Sequence, residues 1–271
     1  MNTLIWIVLS TLLSGVLSVL AAGSFLALPA RQREAALPHM VSFATGALLG
    51  AALLALIPHA MIGAGSERVH EVGIALIGGI ALFFVLEKFL LWRHCHDVDC
   101  DQHTVSDHGH HHGHGHDHHD ARRKAGGSLV LVGDALHNVL DGVLIAAAFL
   151  TDVHLGVVTT VAIAAHEIPQ EVGNFAVLLH SGMSRARALI YNLLASLTAV
   201  IGGIIGYFAL ETSLAVLPFA VAIAAASLLY IAVADLIPGL HRRVDPRSSV
   251  MQVLLIGVGV ALVAFAESHA H

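Results

Sequence analysis

The sequence predicts an all-α membrane protein, a polytopic bundle of eight transmembrane helices. Of its 271 residues, 56% are hydrophobic and 12% are charged, and that charged fraction is about half of what soluble domains carry. The mean hydropathy is +0.80. Eight apolar runs are each close to, or longer than, the roughly 20 residues that cross a hydrocarbon core as a helix. This composition excludes a nucleic-acid-binding protein, a disulfide-stapled domain and a disordered tail.

The predicted spans fill most of the chain, so we expect residues 1–271 to form a single transmembrane domain. Three spans precede a central pair and three follow it, an order that is compatible with an inverted 3+2+3 arrangement. The spans lie at 3–29, 38–63, 72–92, 127–150, 154–180, 187–210, 213–239 and 249–267.

Basic residues predict the orientation, because Lys and Arg concentrate in cytoplasmic loops. The even-numbered connections contain one basic residue, Arg68. We therefore expect the odd-numbered connections in the cytoplasm and both termini outside. The basic residues of the odd-numbered connections and their flanks are Arg31, Arg33, Lys88, Arg93, Arg122, Arg123, Lys124, Arg185, Arg187, Arg242, Arg243 and Arg247.

Four polar side chains of the fourth span fall on one helical face. At about 100° per residue, the positions of Asp134, His137, Asn138 and Asp141 coincide on that face. His137 and Asp141 stand one turn apart, a spacing at which two side chains can share an ion. Ionisable groups inside a span are costly, so they indicate a functional site.

The fifth span carries five polar side chains around a proline, and two pairs of them have i,i+4 spacing. Pro169 removes a backbone donor in mid-helix and frees the carbonyl of Ala165. A cavity that holds water or a cation would satisfy that carbonyl, so the proline indicates a kink at a site. The polar residues are His166, Glu167, Gln170, Glu171 and Asn174.

Imidazole and carboxylate groups together are ligands for borderline divalent metals. They suit Zn²⁺ first, with Fe²⁺, Mn²⁺, Co²⁺ and Cd²⁺ as alternatives. Two carboxylates neutralise the ion in a low-dielectric site, and neutral His, Asn and Gln add donor atoms without trapping it. This balance is typical of a carrier, which must release its cargo. The alternative is ordinary hydrogen bonding between packed helices, with Asp141 holding His137.

The two polar segments resemble the signatures of the ZIP (Zrt/Irt-like) family of divalent-metal transporters, and in particular its LIV-1 branch. The family's His-Asn-x-x-Asp-Gly motif is matched by His137, Asn138, Asp141 and Gly142. Its His-Glu-x-Pro-His-Glu motif is matched by His166, Glu167, Pro169 and Glu171. Weaker similarity surrounds Pro58 in the second span and Tyr230 with Pro238 in the seventh.

This resemblance implies zinc uptake into the cytoplasm by a homodimer in a bacterial inner (plasma) membrane, through an elevator-like motion. It also implies a two-metal site. One position would be lined by His137, Asp141, His166 and Gln170, and its neighbour by Asn138 and Glu167, with Glu171 as a further member. Two residues depart from the LIV-1 pattern, since Gln170 stands where it has His and Asn174 where it commonly has Asp. Gln is a neutral oxygen ligand, so the preferred metal stays open.

The linker at 94–126 is predicted to be a disordered cytoplasmic loop, because it is polar, flexible and rich in His. Its stretch from His94 to Lys124 holds 11 of the 21 His residues. Such a tract binds metal through composition rather than fixed geometry. We expect a metal trap or sensor, against the alternative of a low-complexity spacer or a tag. Its candidate ligands are Cys95, His96, Cys100, His110, His111, His112, His114, His116, His118 and His119.

Two further residues are weaker candidates for the metal path. Asp235, near the cytoplasmic end of the seventh span, is either a ligand on the exit path or a polar helix end. His59 borders the second outer loop and is either an aid to metal entrance or a residue without a special role.

Two other functions compete with uptake. A cation diffusion facilitator, which exports metal, also uses His-x-x-x-Asp pairs, but such proteins resemble six-span units with a cytosolic domain. An intramembrane zinc metalloprotease would need a second His where Gln170 stands. We therefore expect a transporter and not an enzyme. The chain has no phosphate-binding loop, so we expect neither nucleotide nor nucleic acid among its partners, only divalent metal ions, the bilayer and a second copy.

Overall fold

The computed structural model describes residues 2–97, 116–241 and 245–268. Over these ranges the chain forms helices joined by short turns, with no strand. Eight long helices follow one another along the described chain. They are α1 (Thr3–Leu26), α2 (Ala30–Ala64), α3 (Val69–Asp97), α4 (His116–Thr151), α5 (Val153–His180), α6 (Arg185–Glu211), α7 (Leu214–Leu240) and α8 (Pro246–Ser268).

Seven of the helices in the described ranges are long and apolar enough to cross a membrane, so the chain is a multi-pass helical membrane protein. The exception is α5, which has 28 residues and is therefore long enough. Its run of polar residues from His166 to Asn174 lowers its hydropathy. For this helix, apolar composition alone does not indicate whether it crosses the membrane.

Several helices extend beyond the apolar runs from which the spans were predicted. The second helix begins at Ala30 rather than at 38, and Pro38 lies inside it. Of the linker predicted at 94–126, residues 94–97 and 116–126 belong to α3 and α4, and 98–115 lie outside the described residues, so the expected disorder stays a prediction. Residues 116–126 contain Ala, Arg and Lys, which are good helix formers and extend α4. Cys95, His96, His116, His118 and His119 lie on these helical ends, whereas Cys100, His110, His111, His112 and His114 lie outside the described residues.

The helices pack in a small set of pairs. The fourth helix packs against α5 and α6, and α1 packs against α5. Separately, α2 packs against α8 and α3 against α7. The largest cluster of buried apolar residues draws on most of these helices and is rich in Ala, Val, Leu and Ile. The polar faces of α4 and α5 therefore meet inside the bundle.

Both α2 and α7 contain a π-helical segment of six residues, Ala51–Leu56 and Ile231–Leu236. Each segment is followed two residues later by a proline, Pro58 or Pro238. Because proline cannot donate to the preceding turn, a widened turn is one way to accommodate it. The π segment of α7 contains Asp235.

Two glycines let α4 and α6 approach closely beside the polar face. A methyl group at Gly142 would overlap the carbonyl of Ala199, and one at Gly202 would overlap the carbonyl of Val139. Thr198 Oγ1 also donates to the carbonyl of Ala135 at 2.7 Å. These contacts hold α4 against α6, so its polar face is directed towards α5.

Candidate metal centre

Four predicted ligands from α4 and α5 converge inside the bundle. His137 and Asp141 come from α4, and His166 and Glu167 come from α5. One ligand atom from each lies within 4.8 Å of the other three. The two helices are consecutive and joined by a short turn at Asp152, so they run antiparallel as neighbours and their polar faces meet.

The spacing of the four ligand atoms is close to that of a tetrahedral metal site. His137 Nε2 lies 3.4 Å from His166 Nε2 and 3.6 Å from Asp141 Oδ2. His166 Nε2 lies 3.7 Å from Asp141 Oδ2, and His137 Nε2 lies 3.8 Å from Glu167 Oε1. A zinc ion bound at about 2.0–2.1 Å separates neighbouring ligands by about 3.3–3.4 Å. Small side-chain movements would therefore close this group on an ion.

Three carboxylate oxygens of this group lack the hydrogen bonds that an ordinary core would supply. Among the described residues, Asp141 Oδ2 and both carboxylate oxygens of Glu167 are buried and accept no hydrogen bond. The side chains of Asp141, His166 and Glu167 are at most 3% exposed. Leaving such groups buried and unpaired is costly, so the donor set fits a bound dication better than packing between helices.

The group is open on one side. The side chain of His137 is 21% exposed, unlike the other three. The ring of His166 is held from behind, because its Nδ1 lies 3.5 Å from the carbonyl of Ala162. Its Nε2 therefore faces the other ligands, and an ion would reach the group past His137.

A second polar cluster lies beside the first and is centred on Asp134. Asp134 Oδ1 accepts from Asn174 Nδ2 at 2.7 Å and from Gln170 Nε2 at 3.4 Å. The side-chain amide of Asn138 donates to the backbone carbonyl of Asp134 at 3.0 Å. Asp134 Oδ2 is buried and has no hydrogen-bond partner within the described chain. The structure thus gathers Glu167 with the two His residues, and it places Gln170 in contact with Asp134.

Glu171 is fully buried one turn beyond Glu167. Neither of its carboxylate oxygens has a hydrogen-bond partner in the described ranges. The amide of Asn192 on α6 instead donates to the backbone carbonyl of Glu171 at 3.5 Å. Glu171 is therefore a further buried carboxyl group whose oxygens accept no hydrogen bond in the described ranges.

A third acidic group lies on α3 and α7, where the predicted candidate Asp235 is joined by Glu87, which the sequence analysis missed. Tyr230 donates a hydrogen bond to Glu87. Asp235 lies within electrostatic range of both Glu87 and His137, and it is exposed. Glu87 lies beside Lys88 at the end of an apolar run, where charged residues commonly mark the end of a span, so nothing in the sequence indicated a special role. His59 Nδ1 lies 2.9 Å from the carbonyl of Ala55 on its own helix.

The fold and this site define a class: a multi-pass helical membrane protein with an inward-facing cluster of His and carboxylate ligands. The chain matches the ZIP zinc transporter family over residues 2–267. It belongs to that family, and it is not an enzyme. The resemblance found in the sequence is thereby confirmed.

Several named zinc transporters are similar to the chain. Zinc transporter ZIP13 of Pongo abelii is 31% identical over 246 residues, which cover 83% of this chain and 65% of the relative. YKE4 of Saccharomyces cerevisiae is 30% identical over 255 residues, covering 85% and 70%. ZIP4 of Mus musculus is 31% identical over 271 residues, covering 81% and 40%. The chain thus spans about two thirds or less of the length of ZIP13 and ZIP4.

Proposed function

We propose that this protein carries divalent transition-metal ions, Zn²⁺ first among them, across the membrane into the cytoplasm. The ion would be held between α4 and α5 by His137, Asp141, His166 and Glu167. One observation carries the proposal: four ligand atoms converge within 4.8 Å, and three of the carboxylate oxygens there accept no hydrogen bond from the described residues.

The ligand chemistry supports a carrier rather than a structural zinc site. Structural sites are commonly built from thiolates in closed tetrahedral sets, whereas this group has two imidazoles and two carboxylates. The carboxylates neutralise the dication, so the low-dielectric interior does not prevent it from entering. The exposed edge at His137 provides a route for ligand exchange. Binding that is charge-neutral and open on one side favours release.

The direction is supported by charge and by the third acidic group. Basic residues concentrate in the connections that follow the odd-numbered helices, and this pattern favours a cytoplasmic position for those connections. Asp235 and Glu87 lie towards that end of α7 and α3. An ion leaving His137 would meet the exposed Asp235 carboxylate next, and it would be drawn towards the cytoplasm.

The pairing of helices supports the inverted 3+2+3 arrangement with eight spans. An inverted repeat of this kind relates α1 to α6, α2 to α7, α3 to α8 and α4 to α5. The pair α1–α5 then becomes α6–α4, and the pair α2–α8 becomes α7–α3, and all four of these pairs pack in the structure. The two π segments, on α2 and α7, are related by the same repeat. Repeats of this kind are typical of alternating-access carriers.

The same pairing supports an elevator-like motion. One set of helices, α1, α4, α5 and α6, surrounds the ligands, and the other set, α2, α3, α7 and α8, packs mainly within itself. We propose that the first set moves and carries the ion past the second. A homodimer in the inner (plasma) membrane, as the family resemblance implies, would hold the second set still.

Two ions per protomer form part of the proposal. Glu171 is buried and unpaired one turn from Glu167, and Asn138 lies next to His137 on α4. These groups would complete a neighbouring position. The His-rich linker would act separately, as a trap for metal at the cytoplasmic exit.

Transport into proteoliposomes tests the proposal. Purified protein would be reconstituted with a zinc-sensitive dye inside, and uptake would be measured with a panel of competing Fe²⁺, Mn²⁺, Co²⁺ and Cd²⁺. We expect saturable uptake that is lost in His137→Ala and kept in the control His39→Ala, whose exposed ring lies 2.7 Å from the carbonyl of Ala35 on its own helix. Transport that runs only outwards from the cytoplasmic face would favour the alternative that the protein is a metal exporter. Full uptake by His137→Ala would refute the site.

A further inference from the structure

A cavity of about 270 Å³ lies where the C-terminal ends of α1 and α5 meet the start of α6. It is separate from the metal centre, since its lining residues on α5 lie 8 and 12 positions beyond Glu167, about 12–18 Å along the helix. Its wall is apolar and its charge comes from two arginines. The residues that matter here are Leu26, Phe175, Leu179 and Leu189 on the wall, with Arg33 and Arg185.

The cavity lies at the depth of the membrane surface. Three helix ends meet there, because α1 ends at Leu26, α5 ends at His180 and α6 begins at Arg185. The apolar residues precede these ends on α1 and α5, so they lie towards the hydrocarbon. The arginines lie at the ends themselves, where the phosphate groups of lipids are found.

The two arginines are available to a ligand. Arg33 Nε is buried and has no hydrogen-bond partner in the part of the chain that the structure describes. Arg185 is exposed, and over the same part neither arginine forms an ion pair. A guanidinium is suited to bidentate contact with phosphate oxygens.

The local field also favours an anion. The C-termini of α1 and α5 each contribute about half a negative charge, and the N-terminus of α6 contributes about half a positive charge. Two full positive charges from Arg33 and Arg185 outweigh that balance. An anion with an apolar tail would satisfy both the arginines and the wall of the cavity.

We propose that this cavity binds an anionic phospholipid of the leaflet on that side, with its phosphate between Arg33 and Arg185. The beginning of an acyl chain would lie against Phe175 and Leu189. Basic pockets between helices at a membrane surface bind such headgroups. The bound lipid would contact α5 and α6, the helices that carry or support the metal ligands, so lipid composition would influence transport.

A binding experiment tests this proposal with a matched pair of variants. Full-length protein in mild detergent would be titrated with fluorescent phosphatidylglycerol and, separately, with fluorescent phosphatidylcholine. The variant Arg33→Gln/Arg185→Gln removes the cavity arginines. The control Arg31→Gln/Arg187→Gln removes the same charge from neighbouring exposed positions that do not line the cavity.

We expect the protein to prefer phosphatidylglycerol over phosphatidylcholine. The cavity variant should lose that affinity by about 25-fold, about fivefold for each arginine, and the control should lose less than about threefold. An equal loss in both variants, or no preference in the unchanged protein, would overturn the proposal, because attraction would then be a general property of the basic surface.

Two further experiments test whether the lipid binds in this cavity and whether the site binds soluble phosphate instead. The variant Leu189→Trp fills the cavity without changing charge, and we expect it to weaken phosphatidylglycerol binding by at least tenfold. Unchanged binding would place the lipid elsewhere. Millimolar inorganic phosphate should leave the lipid bound, and displacement by phosphate alone would show a site for soluble anions instead. Each variant would be checked for its unfolding temperature before titration.

Discussion

Asp141→Asn is the substitution that best separates a metal ligand from a packing residue. It keeps the size of the side chain and removes its charge. In the structure Asp141 Oδ2 lies 3.6 Å from His137 Nε2 and 3.7 Å from His166 Nε2. The same oxygen is buried and has no hydrogen-bond partner among the described residues. A structural acceptor would have a donor, so the two roles predict opposite effects on stability.

The size of the expected effect follows from linkage. Zinc at 100 times its Kd stabilises the unchanged protein by about 2.7 kcal/mol. Loss of a direct ligand should weaken binding by about 100-fold, at the upper end of what outer-shell changes cause. The same zinc concentration then stabilises Asp141→Asn by about 0.4 kcal/mol. The zinc-induced rise in unfolding temperature should therefore shrink by about 5 °C or more.

Thermal unfolding in detergent, with and without zinc, measures both effects, and uptake into proteoliposomes measures function. We expect the metal-free variant to unfold at the same temperature as the unchanged protein or a few degrees higher, since an unpaired buried charge has been removed. The control is Asp152→Asn, at the exposed N-cap of α5, where Asn caps as well as Asp. If metal-free Asp141→Asn unfolds several degrees lower and keeps its full response to zinc, the assignment of Asp141 as a ligand is wrong.

Three more predictions follow from the same structure. Glu167→Gln should weaken zinc binding by about 100-fold, because Glu167 is a ligand of the four-residue group. In equilibrium dialysis, Glu171→Gln should remove at most the second of two bound ions. Equal effects of the two substitutions would contradict the separation of the two metal positions. Gly142→Ala should lower the unfolding free energy by about 1–3 kcal/mol, because its methyl group would overlap a carbonyl of α6; Gly173→Ala, with open space around it, is the control and should have no such cost. Deletion of 98–115 should keep the uptake rate within about twofold and reduce the number of zinc ions bound per chain, and abolished uptake by a folded protein would show that the tract is required.

The candidate residues on each of the two helices could be predicted from the sequence, because helical periodicity brings them onto one face of their own helix. His137 and Asp141 are one turn apart on α4, and a short turn makes α5 its antiparallel neighbour. The rotation of α5 about its own axis could not be predicted in the same way. That rotation depends on packing against α1 and α4, and it brings Glu167 to the two imidazoles and Gln170 to Asp134.

Other features depend on contacts between distant parts of the chain. Glu87 and Tyr230 are 143 residues apart, so nothing local indicates their hydrogen bond. Gly142 was predicted only as part of a motif, and its role in close packing against α6 depends on the partner backbone. The polarity of the linker gives no sign of where α3 and α4 end, because helix propagation from the apolar spans and good helix formers extend both helices beyond the apolar runs.

The central claim is that α4 and α5 share one divalent ion between His137, Asp141, His166 and Glu167. Anomalous diffraction at the zinc absorption edge, from crystals of the zinc-loaded protein, tests it most directly. We predict a peak within about 2.0–2.2 Å of both imidazole Nε2 atoms and of an oxygen from each carboxylate. Zinc bound only at other positions in the chain, with no peak between these four side chains, would contradict it.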